Sequence, residues 1–125
     1  MAGTRCQIIS APSDEPPCGT ISIFLAGTTS KVDAGDWREQ VEWELDKQDK
    51  ADVVVIYFHH ATQAPISLLE LGICARVPRK AIVVCPEGYW KRGNVQIVCK
   101  KFDIEMVDDV NRLKAAIVKR LPDPS

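Results

Sequence analysis

The 125-residue sequence lacks an excess of either charge. It has 16 basic and 17 acidic residues, a formal net charge of −1 and a pI of about 6.1. Binding to a nucleic acid polymer requires a basic surface that meets the phosphate backbone. The balance of charges therefore argues against DNA or RNA as a partner.

The sequence also lacks long apolar runs. No segment approaches the roughly eighteen apolar residues of a membrane-spanning helix, and segment 1–17 has no apolar core of the kind found in secretory signals. We therefore expect a cytoplasmic protein with no membrane partner. Apolar residues make up 46% and charged residues 26%, as in ordinary globular domains. We predict a leader over 1–19, with a short strand at 7–9, and a single domain over 20–125.

Paired cysteines and clustered metal ligands are lacking as well. The five cysteines are odd in number and form no CxxC pair, which argues against a disulfide framework and a zinc site. We expect reduced thiols, with Cys74, Cys85 and Cys99 acting as small apolar residues. His59 and His60 are expected to point to opposite faces at a strand end, with no further ligands nearby. The sequence thus predicts no metal and no cofactor.

What the sequence does contain is an alternation of apolar strands and helical segments. The predicted strands are 21–26, 53–58, 81–85 and 103–107, and the predicted helices are 36–48, 65–76, 94–102 and 109–120. The order βαβαβαβα implies a parallel sheet with right-handed crossovers. We therefore predict an α/β fold, a small doubly wound parallel sheet of the Rossmann or flavodoxin kind, with helices on both faces.

Local signals place the ends of the predicted elements. The first helix opens with Asp36 as N-cap and Glu39 as its capping-box partner. The second helix begins at Pro65, and Asn94 caps the third. The first strand is expected to be buried, like the uninterrupted strand at 53–58. The apolar residues whose spacing indicates the first helix are Trp37, Val41 and Leu45.

The predicted topology also places a binding site. Ligands in parallel α/β sheets bind at the carboxyl ends of the strands, near the point where the strand order reverses. Three segments are expected at that rim: the small-residue turn that begins at Gly27, loop 59–65 with the start of its helix, and loop 86–94.

Glu70 stands out as the only acidic residue between positions 52 and 87. It shares a helix face with Ser67 and Cys74 at spacings i, i+3 and i+7. A lone glutamate on a helix is a surface residue far more often than a catalytic one. This helix, however, carries no other charge before Arg76 and starts at the rim, where the helix dipole favours an anion. An isolated carboxylate of this kind suits attack on the anomeric carbon of a sugar.

Such chemistry needs a second proton-active group. The sequence offers Glu39, Glu42 and Glu44 on the first helix and Asp52 at the start of the second strand. Asp52 lies at the amino end of its strand, away from the rim, so we assign it a structural role. The residue pattern alone does not choose among the three glutamates.

Five segments together carry a family resemblance. They are IFLAGTT at 23–29, REQVEWEL at 38–45, ADVVVIYF at 51–58, APISLLELG at 64–72 and EGYWKRGNVQIVC at 87–99. The chain resembles the nucleoside 2-deoxyribosyltransferase superfamily, most closely its deoxyribosyltransferase-like branch. The resemblance implies a nucleophilic glutamate in the ELG element, which is Glu70. It also implies a sugar-orienting carboxylate eight positions before Asp52, which is Glu44; an exposed helix charge is the equal alternative for Glu44.

The resemblance implies ligand contacts as well. The candidate substrate-binding residues are Gly27, Thr28, Tyr57, Ser67, Tyr89, Trp90, Arg92 and Asn94. For the last four, an exposed solubilising turn is the alternative. Two positions depart from the family pattern, since Ile23 replaces a frequent tyrosine and Ala64 replaces a polar Asp or Ser, for which Ser67 is a substitute. A helix and a strand usual between the first strand and the first helix are also missing.

The expected function follows from these residues and the resemblance. It is an enzyme that transfers or hydrolyses a (2-deoxy)ribosyl group at the N-glycosidic bond of a nucleoside or nucleotide, with Glu70 attacking C1′ and Glu44 positioning the sugar. The resemblance implies a homodimer whose neighbouring subunit completes the site. The alternative is a non-catalytic nucleotide or nucleotide-sugar binding module on the same fold, which the departures at Ile23 and Ala64 favour.

Overall fold

The architecture is taken from a computed structural model of the chain. The structure describes residues 8–9, 21–27 and 37–120. Within these residues, strands and helices alternate in the predicted order βαβαβαβα. The strands are β1 (Ile23–Gly27), β2 (Val53–Tyr57), β3 (Ala81–Val84) and β4 (Glu105–Val107), and the helices are α1 (Trp37–Lys50), α2 (Pro65–Cys74), α3 (Arg92–Lys101) and α4 (Val110–Arg120).

Several predictions concern positions outside the described residues. These are the strand residue Gln7, the turn residue Thr28 and the N-cap Asp36. Ile8 and Ile9 are described and lie in no strand. Between β1 and β2 the described residues hold one helix, α1, while positions 28–36 are outside the description.

All four strands are parallel, in the spatial order β1-β2-β3-β4. The predicted α/β fold with a parallel sheet and helices on both faces is confirmed. The strand order does not reverse among these four strands, however, so the described sheet has no crevice of the kind expected at a reversal. Each strand pairs with the next one along the chain, so the sheet grows in one direction. Right-handed crossovers between such strands place α1, α2 and α3 on the same face of the sheet. Helix α4 follows the last strand and packs on the other face.

The central strands are buried on both faces, as their β-branched sequences predict. Val54, Ile56 and Phe58 pack with residues of α2 and α3 in one core cluster. Val53 and Val55 point the opposite way and pack with α4 in the second cluster. Fully burying an aliphatic side chain contributes about 1.5–3 kcal/mol, so the period-two alternation along β2 anchors both helix layers.

The prediction of a buried first strand is wrong. β1 pairs only with β2 and forms an edge of the described sheet, and Leu25 is 72% exposed. Ala26 is buried and Phe24 packs against the α2 face. Because α4 contacts β3 and β4, no described helix covers the β1 side chains that point toward the α4 face.

The side of helix α1 that packs against the rest of the protein is not the apolar side expected from the sequence. Val41 and Leu45, whose spacing indicated the helix, are exposed. Trp43 orients the helix instead, with its ring centroid 6.3 Å from that of Phe24. Gln48 on the inward side is only 3% exposed. The inward face of α1 is therefore largely polar.

The helix starts agree only in part with their predicted caps. α2 begins at Pro65 as predicted. α3 begins at Arg92, with Lys91 at the N-cap position. The prediction that Asn94 caps α3 is wrong, because this residue lies inside the first turn and is exposed. The helix starts earlier since the backbone N–H of Arg92 already donates to the carbonyl of Tyr89 at 3.1 Å.

Two smaller predictions are confirmed. Cys74, Cys85 and Cys99 are buried free thiols, and burial raises the pKa of each, as expected for small core residues. Asp52 has a structural role, since its Oδ2 accepts a hydrogen bond from the backbone N–H of Ser22 at 2.8 Å. The described helices are all too short or too polar to span a membrane.

Candidate active site between two helices

The buried face of α2 carries Glu70. This face also contains Ser67, Leu71 and Cys74. Glu70 is 8% exposed, and within the described part of the chain its Oε2 has no hydrogen-bond partner. The alternative that Glu70 is a surface residue is therefore wrong. A buried acceptor without a partner is unusual in proteins, which makes this oxygen a candidate for a ligand contact.

Glu44 on α1 is the carboxylate that interacts with Glu70. Burial is the main cause that raises the pKa of Glu70 from 4.5 to about 7, and the negative charge of Glu44 raises it further. Glu44 is half-buried, and its Oε1 accepts a hydrogen bond from Nε2 of Gln40 at 3.3 Å. Glu39 and Glu42 are exposed. The structure thus separates Glu44 from the other two glutamates of α1.

A polar seam runs between the two helices. On α1 the spacing of its members is i, i+4 and i+8, and on α2 it is i, i+3 and i+7, so each set lies along one helix face. Gln48 has a buried Oε1 without a partner among the described residues. The members of the polar seam are Gln40, Glu44 and Gln48 on α1 and Ser67, Glu70 and Cys74 on α2.

A cavity of about 160 Å³ lies at one end of the polar seam. Water in the liquid occupies about 30 Å³ per molecule, so the cavity has room for several waters beside the Gln48 amide. Cys74, one helical turn after Glu70, contributes to its wall. The lining residues are Leu45, Gln48, Asp49, Ile73, Cys74, Val77 and Lys80.

Two of the expected rim loops do meet. The hydroxyl of Tyr89 donates to the carbonyl oxygen of Gln63 at 2.6 Å, and Nε1 of Trp90 donates to the same oxygen at 3.3 Å. The Tyr89 ring lies 4.8 Å from the Phe58 ring, centroid to centroid, and Tyr89 is 3% exposed. Tyr89 and Trp90 are both predicted as ligand contacts. Each instead donates a side-chain hydrogen bond to the loop that precedes α2.

Other predicted site residues lie away from the polar seam. Gly27 pairs with Tyr57 at the carboxyl ends of β1 and β2, but the Tyr57 side chain packs on the α4 face, opposite Glu70. Arg92 forms an ion pair with Asp108 at 2.9 Å. The last candidates are Thr28, which is outside the described residues, and Asn94, which is exposed on α3.

The two departures from the family pattern lie in different places relative to the candidate site. Ile23 is at the amino end of β1, remote from the rim at the carboxyl ends. Ala64 is buried at the N-cap position of α2, with φ 48° and ψ 53°. A polar residue at this position could cap the helix, whereas alanine cannot.

The adjacent histidines do not point to opposite faces. The rings of His59 and His60 stack with centroids 4.5 Å apart, because both residues follow the end of β2 and have left the pleat. Nδ1 of His59 accepts a hydrogen bond from the Ala61 backbone. Among residues 8–9, 21–27 and 37–120, no group of three or more His, Cys, Asp or Glu side chains is placed to bind a metal.

Sequence reasoning missed three contributors to this region. Gln40 and Gln48 could have been found, since they and Glu44 are spaced four residues apart along one helix. Gln63 acts through its main-chain carbonyl, which has no side-chain signature.

Comparison with known proteins connects this geometry to a family. The family model described as nucleoside 2-deoxyribosyltransferase like matches residues 36–89. No curated protein matches the chain. The matched segment includes α1, β2 and α2, and hence both Glu44 and Glu70. The resemblance of this chain to the nucleoside 2-deoxyribosyltransferase superfamily is thereby confirmed.

Proposed function

We propose that the protein cleaves the N-glycosidic bond of a nucleoside or nucleotide and transfers or hydrolyses the (2-deoxy)ribosyl group, with Glu70 as nucleophile. The observation that carries the proposal is the pairing of a buried Glu70 with Glu44 inside the segment that matches the family. Glu44 is given the role of holding the sugar through its hydroxyl groups.

The chemistry requires Glu70 in its ionised form. A carboxylate oxygen bonds to C1′ while the bond from C1′ to the base nitrogen breaks, and the base leaves with the bonding electrons and takes up a proton. Attack by a second base or by water on C1′ then releases Glu70. Positive charge develops on the sugar in the transition state, and two carboxylates close together stabilise it.

The pKa of about 7 for Glu70 supports this role. Near neutral pH a substantial fraction of Glu70 is ionised, and a carboxylate of raised basicity is a stronger nucleophile than an exposed one.

The experiment is incubation with a panel of deoxynucleosides, ribonucleosides and their monophosphates, with chromatography of the free base. We expect release by the wild-type protein and by Glu42→Gln, a control on the exposed side of α1. Glu70→Gln should lower the rate by about 10³-fold or more. Mass spectrometry of the protein during turnover should locate the bound sugar on Glu70. Activity that survives in Glu70→Gln would refute the mechanism.

Transfer and hydrolysis are separated by adding a second base to the same reaction. A new nucleoside indicates transfer, and free sugar in its presence indicates hydrolysis. Glu70 is nearly inaccessible to solvent, and exclusion of water protects a glycosyl-enzyme from hydrolysis. This burial favours transfer.

The second candidate is a non-catalytic nucleotide or nucleotide-sugar binding module. It is favoured by Ala64, which stands where many superfamily members have a polar side chain. Titration calorimetry that detects binding of a nucleotide, together with no base release by the wild-type protein, would establish this candidate in place of the enzyme.

A homodimer is part of the proposal. On its outer face α2 exposes the large apolar side chains of Ile66, Leu69 and Ile73, and a contiguous exposed apolar patch is typical of a protein–protein contact. Sedimentation velocity should give a dimer for the wild-type protein and a monomer for Leu69→Lys. A monomeric wild-type protein would contradict the proposed assembly.

A further inference from the structure

The helix that carries Glu70 starts from an unfavourable backbone conformation. Ala64 has φ 48° and ψ 53°, a left-handed conformation that residues with a β-carbon rarely adopt. It also precedes Pro65, and residues before proline favour extended conformations. Such a conformation persists only where surrounding contacts enforce it, and these positions cluster at functional sites.

The contacts that enforce it meet at one carbonyl. Gln63, directly before Ala64, accepts hydrogen bonds from the Tyr89 hydroxyl at 2.6 Å and from Trp90 Nε1 at 3.3 Å. The first turn of the helix then closes with a bond from the Leu68 N–H to the Ala64 carbonyl at 3.1 Å. We name the three residues Gln63, Tyr89 and Trp90 the carbonyl clamp.

Tyr89 is itself fixed to the core. Its ring packs on Phe58 directly after β2, and its backbone N–H donates to the carbonyl of Pro86 at 3.1 Å. Burial raises the pKa of the Tyr89 hydroxyl, so the group remains a protonated donor at neutral pH. The carbonyl clamp thus joins the start of α2 to the centre of the sheet.

We propose that Tyr89 is a positioning residue: by holding the Gln63 carbonyl it fixes Ala64 and sets where α2 places Glu70 against Glu44. In its consequence for catalysis this inference rests on the proposed function. Glu70 follows Ala64 by six residues, less than two helical turns, so a rotation at the start of α2 displaces its carboxylate directly. Tyr89 has this role in place of the substrate contact expected from the sequence.

The test reads the position of Glu70 without requiring turnover. The protein is labelled with ¹³C at glutamate carboxyl carbons, Glu70→Gln assigns the signal, and the midpoint of its pH titration is measured. Tyr89→Phe keeps the ring and deletes the hydroxyl; we expect its midpoint to fall from about 7 by about half a pH unit or more, because displaced Glu70 gains solvent. Thr62→Val is the matched control.

The control deletes a bond of the same kind in the same loop. The Thr62 hydroxyl donates to the His59 carbonyl at 3.3 Å, a bond that does not involve the Gln63 carbonyl, so Thr62→Val should leave the midpoint unchanged. An unchanged midpoint in folded Tyr89→Phe overturns the inference, and so does an equal shift in Thr62→Val. If Tyr89→Phe does not fold, Trp90→Phe removes the exposed donor alone; a smaller downward shift supports the inference, and none overturns it.

Rescue distinguishes positioning from a general loss of structure. Glycine adopts the left-handed conformation readily, so the shift caused by Tyr89→Phe should be smaller in an Ala64→Gly background. A shift of the same size in both backgrounds would overturn the link through Ala64.

Turnover separates this inference from the proposed function. Tyr89→Phe should lower kcat by about tenfold with little change in KM, whereas loss of a substrate contact raises KM. A wild-type protein without turnover whose Glu70 midpoint moves in Tyr89→Phe refutes the function and supports the positioning role. Turnover that depends on Glu70, with kcat and midpoint unchanged in Tyr89→Phe, supports the function and refutes the positioning role.

Discussion

Substitution of Glu70 by glutamine should stabilise the folded protein at alkaline pH. Burial, with the Glu44 charge second, raises the pKa of Glu70 to about 7 from 4.5. Between these values the folded state binds more protons than the unfolded state, so the free energy of unfolding falls as pH rises. Each pKa unit corresponds to about 1.4 kcal/mol, so the shift sets an upper limit of about 3.5 kcal/mol. Solvent screening reduces this, and we expect about 1–3 kcal/mol.

Urea unfolding at about pH 5 and about pH 8 measures this contribution. Glu70→Gln should be more stable than the wild-type protein at the higher pH, and the difference should shrink at the lower pH, where Glu70 is mostly protonated in the folded protein. Glu42→Gln, which removes an exposed charge from α1, should follow the wild-type dependence. Parallel curves for Glu70→Gln and the wild-type protein would refute the argument that ionised Glu70 destabilises the fold.

Glu44→Gln should lower the pKa of Glu70, because the neighbouring negative charge raises it; the rising limb of the pH–rate profile for base release should move to lower pH, and an unmoved limb would contradict the coupling. Ile56→Ala, at a fully buried position, should lower the free energy of unfolding by about 2–5 kcal/mol, whereas Leu25→Ala on the exposed edge should cost less than about 1 kcal/mol. Equal losses in urea melts would be inconsistent with the edge position of β1. Gln48→Met removes a buried acceptor without a partner in the described structure and should leave stability unchanged or raise it by up to about 2 kcal/mol; a clear loss would show that bound water satisfies the amide.

The central elements could be predicted from the sequence because local and global preferences agree there. The segment VVVIY has only β-branched and aromatic residues, which suit a strand covered on both faces. Pro65 cannot donate a backbone hydrogen bond, and the first turn of a helix needs none. These signals depend on neighbours in sequence, so β2 and the start of α2 match their predictions.

The faces of β1 and α1 depend on distant contacts and could not be predicted. Leu25 would suit a buried strand, but its exposure follows from the position of α4 over other strands. In α1 the packing of Trp43 on Phe24 decides the orientation. Val41 and Leu45 consequently remain exposed, although their spacing correctly indicated a helix. The strand order is likewise a tertiary property.

In the candidate site, too, features set by neighbours in sequence could be predicted and features set by distant contacts could not. Glu70 is conspicuous in the sequence because it interrupts an apolar helix. Its interaction with Glu44 depends on how two helices pack, and the spacing of residues along one helix carries no information on its neighbour. The carbonyl clamp is harder still to predict, since the acceptor at Gln63 is a main-chain atom that every residue type provides.

The sequential strand order affects how the candidate site can be passed between genes during evolution. Because β1, β2, β3 and β4 are neighbours in both sequence and space, Glu44 and Glu70 belong to one uninterrupted α1-β2-α2 unit over residues 37–74. Sites at a reversal of strand order draw on segments that are separated along the chain. Here a single recombination or duplication event that transfers one short stretch of gene transfers the complete carboxylate pair.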